Sequence, residues 1–308
     1  MTGRRDGLSM TRIRLGTSER GGTFWTEGEA IASLLQRQYG VYSDILDAGQ
    51  ASIENARRLN AGLIDFGFMA SNWIGRAHRG DMPFENPLDI CVVAPANSGA
   101  MFFIVNADSD IHNVRDLIGR RISIGPEGSG MVQHIRAMFQ VLGISFEDFD
   151  PAYLSFEDGG KALEEGEVDA QWQCPFPNAV MRDISERMDV RVLEYESADL
   201  YHIFEKIDFY RPITIPIGFF RGIHEATEQV GVVNIIAAHQ RTDEEIVRQW
   251  VATMLANIDE LAEITPLFVG LEYLLAPIKS DGISAIEFGG TPVHPGAVQA
   301  FRDAGYLS

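Results

Sequence analysis

The chain has little cysteine, a shortage of basic residues and no long apolar run, and each lack excludes a class of protein. Its 308 residues include two cysteines, Cys91 and Cys174, and one pair cannot make the disulfide framework on which small secreted domains depend. Cys91 falls in the apolar run Ile90–Ala94, where a buried free thiol is expected. Lysine and arginine number 25 against 44 aspartates and glutamates, giving a formal charge of -19. Such a surface repels polyphosphate, which argues against nucleic-acid binding. No stretch approaches the roughly 18 apolar residues of a membrane span. The start, Met1–Arg14, carries Arg4 and Arg5 with no apolar run behind them, so the sequence as read has no export leader.

Catalytic constellations are equally sparse. The seven histidines form no HxxxH pair and none lies near a cysteine, so no metal site is expected. No cofactor motif is present. The segment Ile124–Met131 lacks the Lys-Ser/Thr ending of a phosphate loop, and Leu15–Trp25 lacks the glycine spacing of a dinucleotide fingerprint. Ser129 sits between two glycines, but a nucleophile elbow needs glycines two residues away on each side, where this chain has Glu127 and Met131. A hydrolase is the enzyme alternative that remains.

What is present is a 45% apolar chain long enough for two lobes with separate cores. Apolar strand patterns alternate with amphipathic helix patterns. Ile13–Thr17, Tyr42–Asp47 and Asp65–Met69 read as strands around helices Glu27–Tyr39 and Ser52–Ala61, which is a βαβαβ unit with a parallel sheet. A second series has strands Arg121–Gly125, Tyr153–Ser155 and Ala170–Gln173 around helices Gly130–Leu142 and Asp158–Gly166. Between the two, Ile90–Pro95 and Met101–Asn106 read as extended runs separated by Ala96–Gly99, a crossing from one lobe to the other. The tail offers one strand, Val230–Ala238, and one long helix, Asp243–Leu261, opened by Thr242 with Glu245 three residues on.

Three loops join a strand to a helix with glycine and hydroxyl residues: Leu15–Trp25, Gly49–Ser52 and Ile124–Met131. Glycine admits close backbone approach, and the amides of a helix start favour an anion. Ordinary strand-to-helix turns use the same residues. In open α/β sheets such loops gather at the carboxyl ends of the strands, where ligands bind.

The ordered set of motifs resembles the TAXI family of solute-binding receptors for TRAP transporters. It comprises Leu15-Gly16-Thr17, Gly21-Gly22-Thr23-Phe24, Ser52-Ile53-Glu54-Asn55, Leu59–Asp65, Val114–Arg121, Gly125–Gly130, Gly166–Ala170 and His294-Pro295-Gly296-Ala297, and spans nearly the whole chain. The resemblance implies an α/β, two-lobed, type II periplasmic-binding-protein fold, each lobe a mostly parallel sheet flanked by helices, with a ligand cleft between the lobes. Lobe I is expected at 10–97 plus 213–308 and lobe II at 98–212. The ligand-contacting positions it implies are Thr17, Gly22, Thr23, Phe24, Ala51, Ser52, Ser71 and Asn72 on one lobe, and Gly128, Ser129, Gly130, Gln173, Cys174 and Pro175 on the other. It further implies a monomeric, periplasmic, non-enzymatic receptor that takes a small carboxylate, uses no cofactor, and hands its ligand to TRAP permease subunits. A cytosolic enzyme or sensor on the same fold, acting on a small carboxylic acid, is the alternative that the missing leader favours.

Two departures bear on the ligand. Ser18-Glu19-Arg20 stands where the family has glycine and threonine, and Ala70-Ser71-Asn72 stands where it has Gln-Ser-Asp. Asn72 is neutral, so a keto, hydroxy or aromatic acid is expected to outcompete the matching amino acid.

Overall fold

The computed structural model describes residues 11–176, 179–215, 217–218 and 220–308, with the backbone alone at 130, 174–176, 179 and 182. In chain order the first elements are β1 (Arg12–Gly16), α1 (Thr23–Tyr39), β2 (Tyr42–Leu46), α2 (Ala51–Asn60), β3 (Phe66–Ala70), α3 (Ser71–Arg79) and β4 (Ile90–Asn106). Then follow β5 (Arg121–Ser123), α4 (Gly130–Leu142), β6 (Asp150–Ala152), α5 (Phe156–Glu164), β7 (Ala170–Phe176), α6 (Ala179–Arg187), β8 (Val190–Val192), α7 (Ser197–Lys206) and β9 (Tyr210–Ile215). The chain closes with β10 (Thr227–His239), α8 (Glu244–Ala256), α9 (Ile258–Ile264), α10 (Leu271–Leu275), α11 (Pro277–Asp281) and α12 (Pro295–Asp303). Two compact units result: residues up to Asn97 with Val233–Ser308, and Ser98–Val232. β4 and β10 each run unbroken through a unit boundary.

In the first unit β1 lies parallel to both β2 and β3, and β3 is antiparallel to the second half of β10. Strand β1 buries Ile13 and Leu15, while its edge-facing Arg12 forks onto Asp44 of β2 through two bonds of 2.7 Å. Helix α1 buries Phe24, Ile31 and Leu35 at helical spacing. Gly28 lets it press against β1, since a Cβ there would stand 3.0 Å from the side chains of Leu15 and Thr17. Phe66 stacks on Trp250 of α8 at 4.6 Å, so the tail completes this core. The second unit places β5 parallel to β6 and β7, and adds β4, β8 and β9 in antiparallel pairs. Its sheet is therefore mixed rather than mostly parallel. Phe103 packs on Trp172 at 4.5 Å, joining β4 to β7.

Several sequence expectations shift. The two runs flanking Ala96–Gly99 form one strand, because residues 90–105 are all buried except Ser98 and Asn97, a turn former in isolation, accepts a side-chain bond inside the sheet. The second strand of the second series lies at Asp150–Ala152 rather than Tyr153–Ser155; Pro151 is tolerated because β6 ends the strand order. The long helix after β10 opens at Asp243, whose carboxylate accepts from the Ile246 amide at 3.1 Å, and not at Thr242. It breaks at Asn257, whose φ and ψ of −132° and 32° are non-helical and whose side-chain Nδ2 donates to Thr253 O at 2.6 Å. The chain re-enters the first unit at Val233 rather than at 213, because β9 pairs with Thr227–Val232 and holds that segment in the second unit.

Candidate functional site

Three helices of the first unit start directly after parallel strands: α1 after β1, α2 after β2 and α3 after β3. The strands run the same way, so the three starts share one edge of the sheet. In none does the capping residue's own side chain bond the first turn, the capping positions being Gly22, Gln50 and Ala70, although in α1 Ser18 Oγ accepts from the Trp25 amide at 3.4 Å. An uncapped start leaves amides of the first turn without intrahelical partners and carries a partial positive charge. Around this edge the buried polar side chains are held inward. The hydroxyl of Thr17, fully buried, lies 3.0 Å from Leu46 O. Ser52 Oγ accepts from the Ala70 amide at 3.0 Å and Ser71 Oγ from the Val233 amide at 3.3 Å. Asn55, also fully buried, donates to Thr17 O at 2.8 Å and Phe68 O at 2.9 Å, clamping the ends of β1 and β3.

Of the eight positions expected on this unit, Thr17, Ser52 and Ser71 thus use their side chains internally, and Phe24 stacks on Phe68 at 5.6 Å within the core. Gly22, Thr23, Ala51 and Asn72 remain partly exposed. Thr23 makes no side-chain hydrogen bond among the described residues, and Asn72 Oδ1 is buried without a partner. Ala51 has a φ of 37°, the sole positive value outside glycine among the described residues; strain of this kind gathers at ligand loops. Beside the start of α1, the Arg20 guanidinium lies 5.0 Å from the Trp25 ring centre, a cation held at the loop by its aromatic neighbour.

In the second unit Gly128, with φ of 74°, turns the chain into α4. Ser129 caps α4: its Oγ accepts from the Val132 amide at 3.4 Å, and its own amide donates to Pro126 O at 3.0 Å. Both Ser129 acceptor and backbone donor therefore have internal partners, and Gly130 opens the helix. Gln173, fully buried, donates to Gln171 Oε1 at 2.9 Å, and Gln171 donates to Phe156 O at 2.8 Å. The side chains of Cys174 and Pro175, expected ligand positions at the end of β7, lie outside the described residues. Among the described residues no His, Cys, Asp and Glu side chains gather as a metal cage.

Sequence reasoning missed three features. Asn55 is the clamp between strand ends, though it lies in the quoted Ser52–Asn55 motif. Asn97 and Asn234 bond to each other at 2.8 Å, a long-range pairing with no local signal. Glu27 of α1 is fully buried, neither of its oxygens has a hydrogen-bond partner, and burial raises its pKa well above the ordinary carboxyl value. Its neighbours Trp25 and Gly28 gave no warning that the helix face it occupies is interior.

The chain belongs to the NMT1-like family. That family's model matches residues 15–305. Among solved structures, a TctC solute-binding protein from Polaromonas superposes with a TM-score of 0.59 at 15% identity, over 86% of this chain and 89% of that one. A periplasmic sulfonate-binding protein, SsuA, from Methylobacillus flagellatus KT gives 0.56 at 14% identity over 97% of both chains. At such identities the likeness is one of fold: this NMT1-like chain has the α/β architecture of two-lobed periplasmic binding proteins.

Proposed function

We propose that this protein is a solute-binding receptor of the TAXI type, which captures a small mono- or dicarboxylate without turnover and delivers it to a TRAP-type permease from the periplasm. The carrying observation is the trio of helix starts, α1, α2 and α3, on one sheet edge, none bonded by the side chain of its own capping residue. Amides and partial positive charge at such starts suit a compact anion, while the formal charge of -19 disfavours polyanions. The fold shared with proteins named as periplasmic binders supports the receptor reading, and no described helix is long and apolar enough to cross a membrane. Thr23, Ala51 and Asn72 are the contacts we favour. Asn72 Oδ1 is an acceptor without a donor, which suits a ligand hydroxyl and offers no full counter-charge to an ammonium.

The test is calorimetric titration with glutamate, 2-oxoglutarate, 2-hydroxyglutarate and an alkanesulfonate, followed by mass spectrometry of the bound compound. Reversible binding of an acid with no product supports the receptor. Product formation would establish the enzyme alternative, and preference for the sulfonate would move the ligand class.

A further inference from the structure

In the tail of the first unit, apolar side chains point two ways. Leu261, Phe268, Leu271 and Leu275 are at most 1% exposed and fill the core. Among them Ile264, Val269 and Tyr273 are 48%, 70% and 75% exposed, at outward positions where polar side chains would serve the fold as well. The backbone between them is tight: the Thr265 amide donates to Leu261 O at 3.0 Å, the Val269 amide to Pro266 O at 3.1 Å and the Tyr273 amide to Gly270 O at 3.0 Å. Gly270, with φ of 86°, makes the turn into α10 and lies against the Tyr273 ring, since a Cβ there would stand 3.7 Å from it. Beside Tyr273, Glu272 lines a hollow of about 430 Å³ whose other walls include Leu255, Ile258 and Asp259. The charge here has one sign. From 255 to 278 the chain carries Asp259, Glu260, Glu263 and Glu272 and no lysine, arginine or histidine. Glu260 is bound to Arg37 of α1, while Asp259, Glu263 and Glu272 make no ion pair among the described residues.

We infer that the α9–α10 face of the first unit is a docking surface for a basic amphipathic helix of a partner protein. Exposed apolar side chains grouped among unpaired carboxylates select their occupant by charge. Nucleic acid and anionic lipid carry the wrong sign. A second copy meeting the same face would set like charges against each other. A helix with lysine or arginine beside its apolar stripe satisfies both demands: the stripe covers Val269 and Tyr273 and sends an anchor into the hollow, and the cations reach Asp259, Glu263 and Glu272 or the exposed Tyr273 ring. This surface is separate from the helix-start loops, and the inference does not depend on the receptor reading.

The test uses the full chain and a fluorescein-labelled peptide of about 18 residues, long enough to form a helix, with leucine at helical spacing and lysine elsewhere. Its controls are the same pattern with glutamate for lysine, and a lysine–serine peptide without leucine. Fluorescence anisotropy at about 0.15 M salt is expected to show the lysine–leucine peptide bound and both controls at least about tenfold weaker. Tyr273→Ser and Glu272→Lys are each expected to weaken binding by about tenfold, the scale of an interface anchor, with the melting temperature unchanged because both side chains are exposed. A photoreactive form of the peptide is expected to cross-link within residues 255–278. Absence of binding, binding that neither variant changes, or cross-links spread over the rest of this acidic chain would overturn the docking surface. So would a dimer in sedimentation that Tyr273→Ser dissociates, which assigns the face to a second copy, or flotation with phosphatidylserine vesicles, which assigns it to a membrane. No acid ligand is present in these measurements, so the docking surface and the receptor reading stand or fall separately.

Discussion

Glu27 shows how one side chain can make stability depend on pH. Its carboxyl is fully buried without a partner, and desolvation raises its pKa well above the ordinary carboxyl value. The folded-state pKa lies above the unfolded value of roughly 4.3, so folding takes up a proton between the two. The favourable contribution is complete below pH ~4.3 and is lost as pH rises toward the folded value. Glu27→Leu, a good helix former of similar length, is therefore expected to gain about 1–3 kcal/mol on wild type as pH rises from 4 to 8; urea melts at both values check this. At Cys91 burial, with Asp89 adding a smaller effect, pushes the thiol to about 11. Native protein should leave this thiol unmodified by Ellman's reagent at pH 8, with reaction appearing on denaturation. Ser129 holds a cap rather than an open donor, so Ser129→Ala should cost about 1 kcal/mol of stability in the absence of any ligand.

At the scale of elements, the start of α2 combines an uncapped helix with a positive φ at Ala51. A β-branched residue is poorly accommodated there, so Ala51→Val should lower the melting midpoint by about 1–2 kcal/mol in equivalent free energy, whereas Ala51→Gly should be nearly neutral. The five strands and helices of the first βαβαβ series were legible because each apolar face has the period of its element: Ile13 and Leu15 alternate, and Ile31, Leu34 and Leu35 recur at helical spacing, although the first helix begins at Thr23 rather than Glu27 and takes in Phe24. Where the pattern failed, tertiary pairing had overruled local preference. Asn97 and Gly99 read as a turn until β4 is seen buried along nearly its whole length, and Asn257 breaks a helix that composition alone would continue. Helix α3 escaped notice because Ser71–Arg79 mixes Trp73 and Ile74 with three basic residues over only nine positions. The candidate site was legible as loops but not as side chains. Which hydroxyls are committed inward, as at Thr17, Ser52 and Ser71, depends on backbone donors and acceptors brought from elsewhere in the chain.

For the molecule as a whole, the governing quantity is the charge of -19 set against the local positive ends of α1, α2 and α3. The two act over different distances. Helix-end charge falls off within the first turn, whereas the field of many exposed carboxylates reaches outward by a Debye length, about 30 Å at 0.01 M salt and 10 Å at 0.1 M. An approaching carboxylate therefore meets repulsion first and attraction only at the loops. Salt should screen the repulsive approach more than the short-range contact, so the association rate constant of the best-binding acid should rise with ionic strength while its dissociation rate changes little. Stopped-flow binding between 0.01 and 0.15 M sodium chloride, following the fluorescence of Trp25 beside the α1 loop, measures this, with a several-fold rise expected for a dianion and a smaller one for a monoanion. A rate that falls with salt would show that attraction already dominates at long range. The cationic Arg20 would then be the first group to replace, since it is exposed at the loop and stacked on Trp25 rather than paired with a carboxylate; Arg20→Gln should reverse the slope if it supplies that attraction.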